Sequence, residues 1–419
     1  MAEHEQNAGS RTVLLTGTRT STIPSRMAIR FAEMGCRVAA LYPSKNHPLA
    51  STAAVSSHHH SSVVDPLQSL LSALRESRAE IVTPCDGLAV RHLHALYATL
   101  PATEEGTRAA EIIQRSLGDP AAFLLVDSRH EVQTLARAGG LNAAESFAIG
   151  RATDPQTIAQ TLPFPWVVKA DYVVGRAGTH VVRSMTAARS IIRRAGAPPS
   201  LTTVLGQLLV EGDRAAMGEW LRAMRPGLSA QRPAPGVAAS TVASCWQGEV
   251  LALISVQADL ASSVESDGPA TVSIIENEQM TQTASQMAQK LGLSGFQNFE
   301  FMLDAESGQA TLTEVNPYCT APVYLNAGPG RDPADAFCRR WMGRPPAAQA
   351  PVHPHRLIAY FPQSWIANPS DPLLATGAYD VPSQDPKLVE QVMRMVRRSR
   401  RYSAVQSTLR GLTGSGTRD

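Results

Sequence analysis

The sequence predicts an α/β protein, with a Rossmann-like N-terminal domain followed by a second, mixed α/β region. Three observations predict it. "TVLLTG", "IPSRMAIRFAEMGC" and "RVAALYP" follow one another as an apolar run, a segment with apolar residues at helical spacing and a second apolar run, the order of a βαβ unit on a parallel sheet. From about Asp119 onward, shorter apolar runs alternate with glycine loops and helical segments. A chain of 419 residues has room for roughly two to three domains and ample core.

Residues 1–10, "MAEHEQNAGS", are polar and read as a disordered tail, unlike a signal peptide. The Rossmann-like domain is expected over residues 11–115. Its first loop, "GTRTSTIPS", lacks the second and third glycines of a dinucleotide fingerprint, so no dinucleotide is inferred. "SSHHHSS" holds His58, His59 and His60 and is expected as a solvated loop, because adjacent histidines lack metal-ligand spacing. "PLQSLLSALRESRAEIVTPCDG" continues the alternation as helix, strand and turn.

In the next segment, Asp127 or Ser128 caps a lead-in helix that stops at Gly139-Gly140. "PFPWVVKADYVVGRAGTHVVRS" reads as strand, glycine loop, strand. A helical pattern over residues 203–224 closes at Pro226-Gly227, and "TVASCW" and "VLALISV" form a hairpin across "QGE". "NEQMTQTASQMAQKLGLSG" is an amphipathic helix ended by glycine. It leads into "FQNFEFMLDAESGQATLTEVNPY", two strands joined by a turn-like "DAESGQ". From residue 343 the composition shifts to a Pro-rich connector and a basic helix, "LVEQVMRMVRRSRRYS", whose apolar stripe is expected to pack on the body of the protein.

Basic and acidic residues nearly balance, 38 against 36, giving no global reason to expect nucleic acid as a partner. No apolar run reaches the ~18 residues of a spanning helix, so a cytoplasmic protein is expected. The five cysteines show no CxxC pair and fit buried free thiols better than zinc or a disulfide framework. In the hairpin, Glu314 and Asn316 share a strand face and pairing brings Glu300 beside them. Two carboxylates and an amide oxygen suit a hard cation such as Mg²⁺, although alone they equally suit the wet face of a hairpin.

Taken together, the strand ending in Lys169, the glycine loop, the strand bearing Gln231 and the Glu…Glu-x-Asn hairpin resemble the ATP-grasp superfamily, in particular its carboxylate-amine (or thiol) ligases. The resemblance spans roughly residues 10 to 340 and is most specific at "NFEFMLDAESGQATLTEVNPY". It implies a Rossmann-like pre-ATP-grasp domain and then, over residues 116–342, an ATP-grasp domain of two α+β subdomains; residues 343–419 form a C-terminal extension. It implies ATP and Mg²⁺, with Mn²⁺ as a substitute, and small-molecule carboxylate and amine substrates, with a homodimer as a further arrangement to test. By resemblance, Lys169 contacts the nucleotide phosphates and Gly175 and Gly178 belong to the loop that closes over them. Arg176, in that loop, joins Lys169 as a candidate for catalysis. Gln231 and the backbone of Ala230 and Arg232 line the adenine, and Glu300, Glu314 and Asn316 hold the metal. The implied reaction activates a carboxylate as an acylphosphate, releasing ADP, before an amine attacks.

Three departures qualify the pattern. Tyr318 stands where many relatives carry arginine, which leaves Arg176 or Arg331 as candidates for carboxylate recognition. Arg129, in "DSRHE", stands where relatives tend to carry lysine. The loop "GRAG" is less glycine-rich than usual. These keep open a degenerate member that binds nucleotide as a regulatory or scaffolding module without turnover.

Overall fold

A computed structural model describes residues 11–173, 178–201, 204–205, 208, 215–221, 225–259, 269–349, 357–375 and 379–398. The first sheet is parallel, in the order β3-β2-β1-β4, from β1 (Thr12–Thr16), β2 (Arg37–Tyr42), β3 (Ser57–His60) and β4 (Ile81–Pro84). The strands β1, β2 and β4 are apolar nearly throughout because both of their faces are covered. One face packs Leu14, Leu41 and Val82 against the helices Pro66–Ser77, Gly87–Thr99 and Glu104–Leu117. The His58–His60 run is therefore not a loop. It is the edge strand β3, paired with β2 in register Tyr42↔His60, and its alternating exposure follows from having one covered face.

The second sheet is small, in the order β5-β8-β6-β7: β5 (Ser146–Ile149), β6 (Trp166–Ala170), β7 (Thr179–Val182) and β8 (Leu228–Gln231). Trp166, Val168 and Ala230 bury against the helices Pro155–Thr161 and Met185–Ala195. The third sheet has seven strands, β13-β12-β9-β10-β11-β14-β15. These are β9 (Val237–Trp246), β10 (Glu249–Ala258), β11 (Thr271–Ile275), β12 (Gly295–Leu303), β13 (Ala310–Asn316), β14 (Leu357–Tyr360) and β15 (Tyr379–Asp380). The expected hairpin turn between β9 and β10 has Gln247 and Gly248 both at positive φ, the backbone a two-residue turn requires.

One apolar core runs from the first sheet into the third. Val13, Met27 and Phe31 meet Val242, Phe296, Phe337 and Tyr360. Gly295 marks the seam, at φ +79° with the Ser116 carbonyl 2.5 Å from where a Cβ would sit. The opposite face of the large sheet buries Phe299, Phe301 and Leu312 under the helices Glu278–Lys290 and Arg129–Ala138. As the sequence predicts, Ser128 caps the latter helix and Gly139 ends it.

The segment after residue 343 contributes β14 and β15 to the large sheet. A helix over 386–398 then lays Leu388 and Val392 on Ile29 and Phe361. The apolar stripe of the basic helix is thus used in packing. No helix among the described residues is long and apolar enough to cross a membrane.

Candidate active site

The site forms where the small sheet faces the β12–β13 hairpin. In that hairpin Asn298 lies opposite Asn316 and Glu300 opposite Glu314, so two cross-strand pairs share one face. A β-bulge follows immediately: Glu300 pairs with Glu314 but Phe301 pairs with Leu312, which leaves Thr313 as the extra residue. The bulge explains how Leu312 and Val315, three residues apart, both face the same apolar core. It also turns the Thr313 carbonyl toward the small sheet, where it accepts from Lys169 Nζ at 3.1 Å and from Gln231 Nε2 at 3.4 Å.

Lys169 projects from β6 and binds Glu314 Oε2 at 3.0 Å. Arg129, at the start of the lead-in helix, takes the other carboxylate oxygen of Glu314 and also donates to the Ala170 carbonyl. All three side chains are more than nine-tenths buried. Burial pushes Glu314 up, but the Arg129 and Lys169 cations outweigh it and hold the carboxyl at about 2. Glu300 behaves oppositely. Burial and then the Glu314 charge raise it to about 7, even though Asn316 Nδ2 and Asn298 Nδ2 donate to its Oε1 at 3.1 and 3.3 Å. Two facing carboxylates are thus pushed in opposite directions because both cations stand on Glu314.

Gly178 lies at the far end of the glycine loop. A Cβ there would sit 2.3 Å from the Val173 carbonyl, so the chain crosses itself where only glycine fits. Gly175 and Arg176 lie outside the described residues. Ala230 and Gln231 are buried in β8, which is flanked by β5 and β6, and the Arg232 N–H donates to the Glu145 carbonyl at 2.9 Å. The expected adenine hinge is therefore a central strand with its backbone used on both sides. The Arg232 side chain is turned outward to Glu145, at 2.7 Å. Arg331 pairs with Glu276 at 3.5 Å in the wall of a separate depression of about 270 Å³, whose lining includes neither Glu300 nor Glu314.

Tyr318 is buried beside Glu314, Arg129 and Asp86, and burial raises its hydroxyl, so it remains a neutral donor. Cys319 is buried against Cys85 and its N–H donates to the Pro84 carbonyl at 3.2 Å, in keeping with a packing role. The N-terminal sheet closes this side: Asp86 accepts from Thr18 N and Oγ1 at 2.6 and 2.8 Å, and Arg91 stacks 4.3 Å over the ring of Tyr172. The pattern reading gave no place to Asn298 or to these loop residues. Asn298 had a signal, since it stands two positions before Glu300 on the same strand face.

The residue set suits a divalent cation: two carboxylates and two amides on one face, one amide oxygen of which has no partner. No group of three or more His, Cys, Asp or Glu that could hold a metal ion gathers among the described residues, at this site or elsewhere. No protein-family model matches the sequence, and no curated protein matches it. Solved structures do. An N5-carboxyaminoimidazole ribonucleotide synthetase in its ADP complex is 17% identical, with a TM-score of 0.57 over 82% of this chain and 80% of that one. The Aspergillus clavatus carboxyaminoimidazole ribonucleotide synthase complexed with ATP is 16% identical, also at 0.57, over 93% and 99%. The chain has the ATP-grasp fold. An L-amino acid ligase from Bacillus licheniformis shares that fold, at 13% identity and a TM-score of 0.51, over 79% of this chain and 74% of the other.

Proposed function

We propose that this chain is an ATP-dependent carboxylate-amine ligase that activates a small carboxylic acid as an acylphosphate and joins it to an amine. The observation that carries the reading is the convergence of Lys169 and Arg129, from two different elements, on one carboxylate of a facing pair. Solved structures that share this fold include a synthetase in its ADP complex, a synthase complexed with ATP and an L-amino acid ligase.

In this reading Glu300, Glu314 and Asn316 hold Mg²⁺, with Mn²⁺ as a substitute. When bound, the cation would neutralise charge on the phosphoryl oxygens. Lys169 and Arg129 spend their charge on Glu314 until nucleotide arrives, and then present ammonium and guanidinium donors to its phosphates. Gly178, at the end of the glycine loop, stands where a side chain would meet the Val173 carbonyl. Tyr318 donates a neutral hydroxyl where relatives present a cation, so the acid is held with less charge complementarity than an arginine would supply. We assign the phosphate and transfer roles to Lys169 and, through the loop, Gly175 and Arg176. Gln231 braces the hairpin through Thr313. Residues 11–115, 116–342 and 343–419 are proposed as the functional units.

Thermal unfolding with ATP, Mg²⁺ or both tests the site, since a ligand at a hundred times its Kd adds roughly 2.7 kcal/mol. Stabilisation that needs both, followed by ADP release with pooled acids and amines, is the expected result. Stabilisation without turnover on any pool favours the nucleotide-binding module, and no response to ATP under any metal condition overturns both readings.

A further inference from the structure

Asn298 is 4% exposed, and its Oδ1 has no hydrogen-bond partner among the described residues. Its orientation is set by its neighbour. The Nδ2 group donates to Glu300 Oε1 at 3.3 Å, so the carbonyl end points away from that oxygen. Asn316, directly opposite, donates to the same oxygen at 3.1 Å. Both amides thus pin Glu300 from one side, and one of them keeps a bare oxygen. A buried acceptor left unmade is costly, and a protein retains such a group where something else satisfies it.

What satisfies it follows from the company it keeps. Of the other unpartnered buried oxygens, Gln297 Oε1 lies on the opposite face of β12 and Ser244 Oγ, opposite Phe296, stands further along the sheet; Asn298 is the immediate same-face neighbour of Glu300, two residues away on β12. Both nearby protein cations are committed to Glu314, not to the Glu300–Asn298 side. A hard divalent cation takes six or more oxygens, and amide carbonyls serve as well as carboxylates.

We infer that Asn298 supplies a further oxygen ligand to the cation site, completing with Asn316 a frame of two amides and two carboxylates. This rests on the nucleotide-dependent reading of the site given above. Its distinctive consequence is that metal affinity depends on a side chain that neither touches nucleotide nor carries charge.

The test uses Mn²⁺ as probe, with free Mn²⁺ counted by electron paramagnetic resonance in the presence of ADP, on the full chain. Asn298→Ala is expected to weaken Mn²⁺ at least tenfold while ADP binding without metal stays within twofold. Asn298→Asp separates ligation from mere bracing of Glu300. A ligand oxygen is retained in that variant, so Mn²⁺ affinity holds or rises, whereas a bracing role would lose the N–H donor and place like charges together, lowering it. Far-UV circular dichroism and the unfolding midpoint show whether each variant is folded, with Asn298→Ser standing in if the alanine variant is not. Folded Asn298→Ala with Mn²⁺ affinity within twofold of wild type overturns the inference and leaves the ligase reading intact. A wild-type protein that binds no Mn²⁺ with ADP overturns both.

Discussion

His47 is tied at both ring nitrogens. Nδ1 accepts from the Leu49 N–H at 3.1 Å, and Nε2 therefore carries the proton and donates to the Arg19 carbonyl at 3.1 Å. The ring is fully buried and stacked on Tyr42, so burial pushes it down to about 4 from 6.5, and only the neutral imidazole fits both bonds. Between pH 6.5 and about 4 the unfolded chain binds a proton that the folded chain does not. Stability should accordingly fall as pH drops through that window, by roughly 3 kcal/mol in all. Urea unfolding from pH 7 to 4 would check this, and His47→Asn should flatten the slope; an equal slope in that variant would assign the acid sensitivity elsewhere. Tyr318 makes a second residue-scale prediction. If its hydroxyl holds the acid, Tyr318→Phe should raise the KM for the acid about tenfold with little change for ATP, measured by ADP release.

At the scale of elements, the buried cluster of Lys169, Arg129 and Glu314 ties the small sheet to the hairpin. Glu314→Ala would strand two buried cations and should cost about 3–5 kcal/mol in chemical denaturation. Lys169→Met should cost less, because Arg129 still neutralises Glu314, and the double variant Lys169→Met/Glu314→Leu should recover part of the loss. Purely additive costs would contradict this account. Gly178→Ala forces a Cβ against the Val173 carbonyl and should lower stability by about 1–3 kcal/mol and weaken ATP binding. The β12–β13 hairpin and the shared face of its two carboxylates were legible because strand alternation has a period of two and places Glu314 and Asn316 on one face. The bulge at Thr313 was not, since an inserted residue leaves no mark in composition, and with it went the reason Lys169 and Gln231 reach the hairpin. Arg129 stood out only as a departure from a family pattern; its place beside Glu314 depends on how the lead-in helix docks, which no local periodicity encodes. The histidine run is a strand and not the expected loop because three polar residues carry no strand signal, while pairing with β2 and contacts of His58 and His60 with Tyr42 hold them extended.

For the whole molecule, the last described residues act as a strap. β14 and β15 finish the large sheet, Arg26 joins Asp380 while stacking 4.7 Å over Tyr324, and Asp385 accepts from Thr52 Oγ1 and the Ala53 N–H at 2.6 and 3.1 Å. The segment around Asp380 and Asp385 is thus fastened to the first helix, Ile23–Glu33, and to the loop after β2. Leu388, 1% exposed on Ile29 and Phe361, should cost about 3 kcal/mol when cut to alanine, read as a lower unfolding midpoint for the entire protein and not for a detached tail. The parallel first sheet was legible because its strands are continuous apolar runs separated by amphipathic segments. In the strap, the docking of its helix was legible from the apolar stripe, whereas β14 and β15 were not, because a Pro-rich connector hides the return of the chain to the sheet.

The five buried thiols give the molecule an internal clock. Cys36 and Cys338 face each other with sulfurs 4.0 Å apart, and Cys85 lies against Cys319, so each pair sets one thiol from the N-terminal region against one from the region of the large sheet. Cys245, held on β9 under the helix Glu278–Lys290, belongs to neither pair. A small alkylating reagent would therefore modify four sulfurs in step whenever those regions part, and the fifth only when the large sheet itself comes undone, so one labelling time course separates breathing from unfolding.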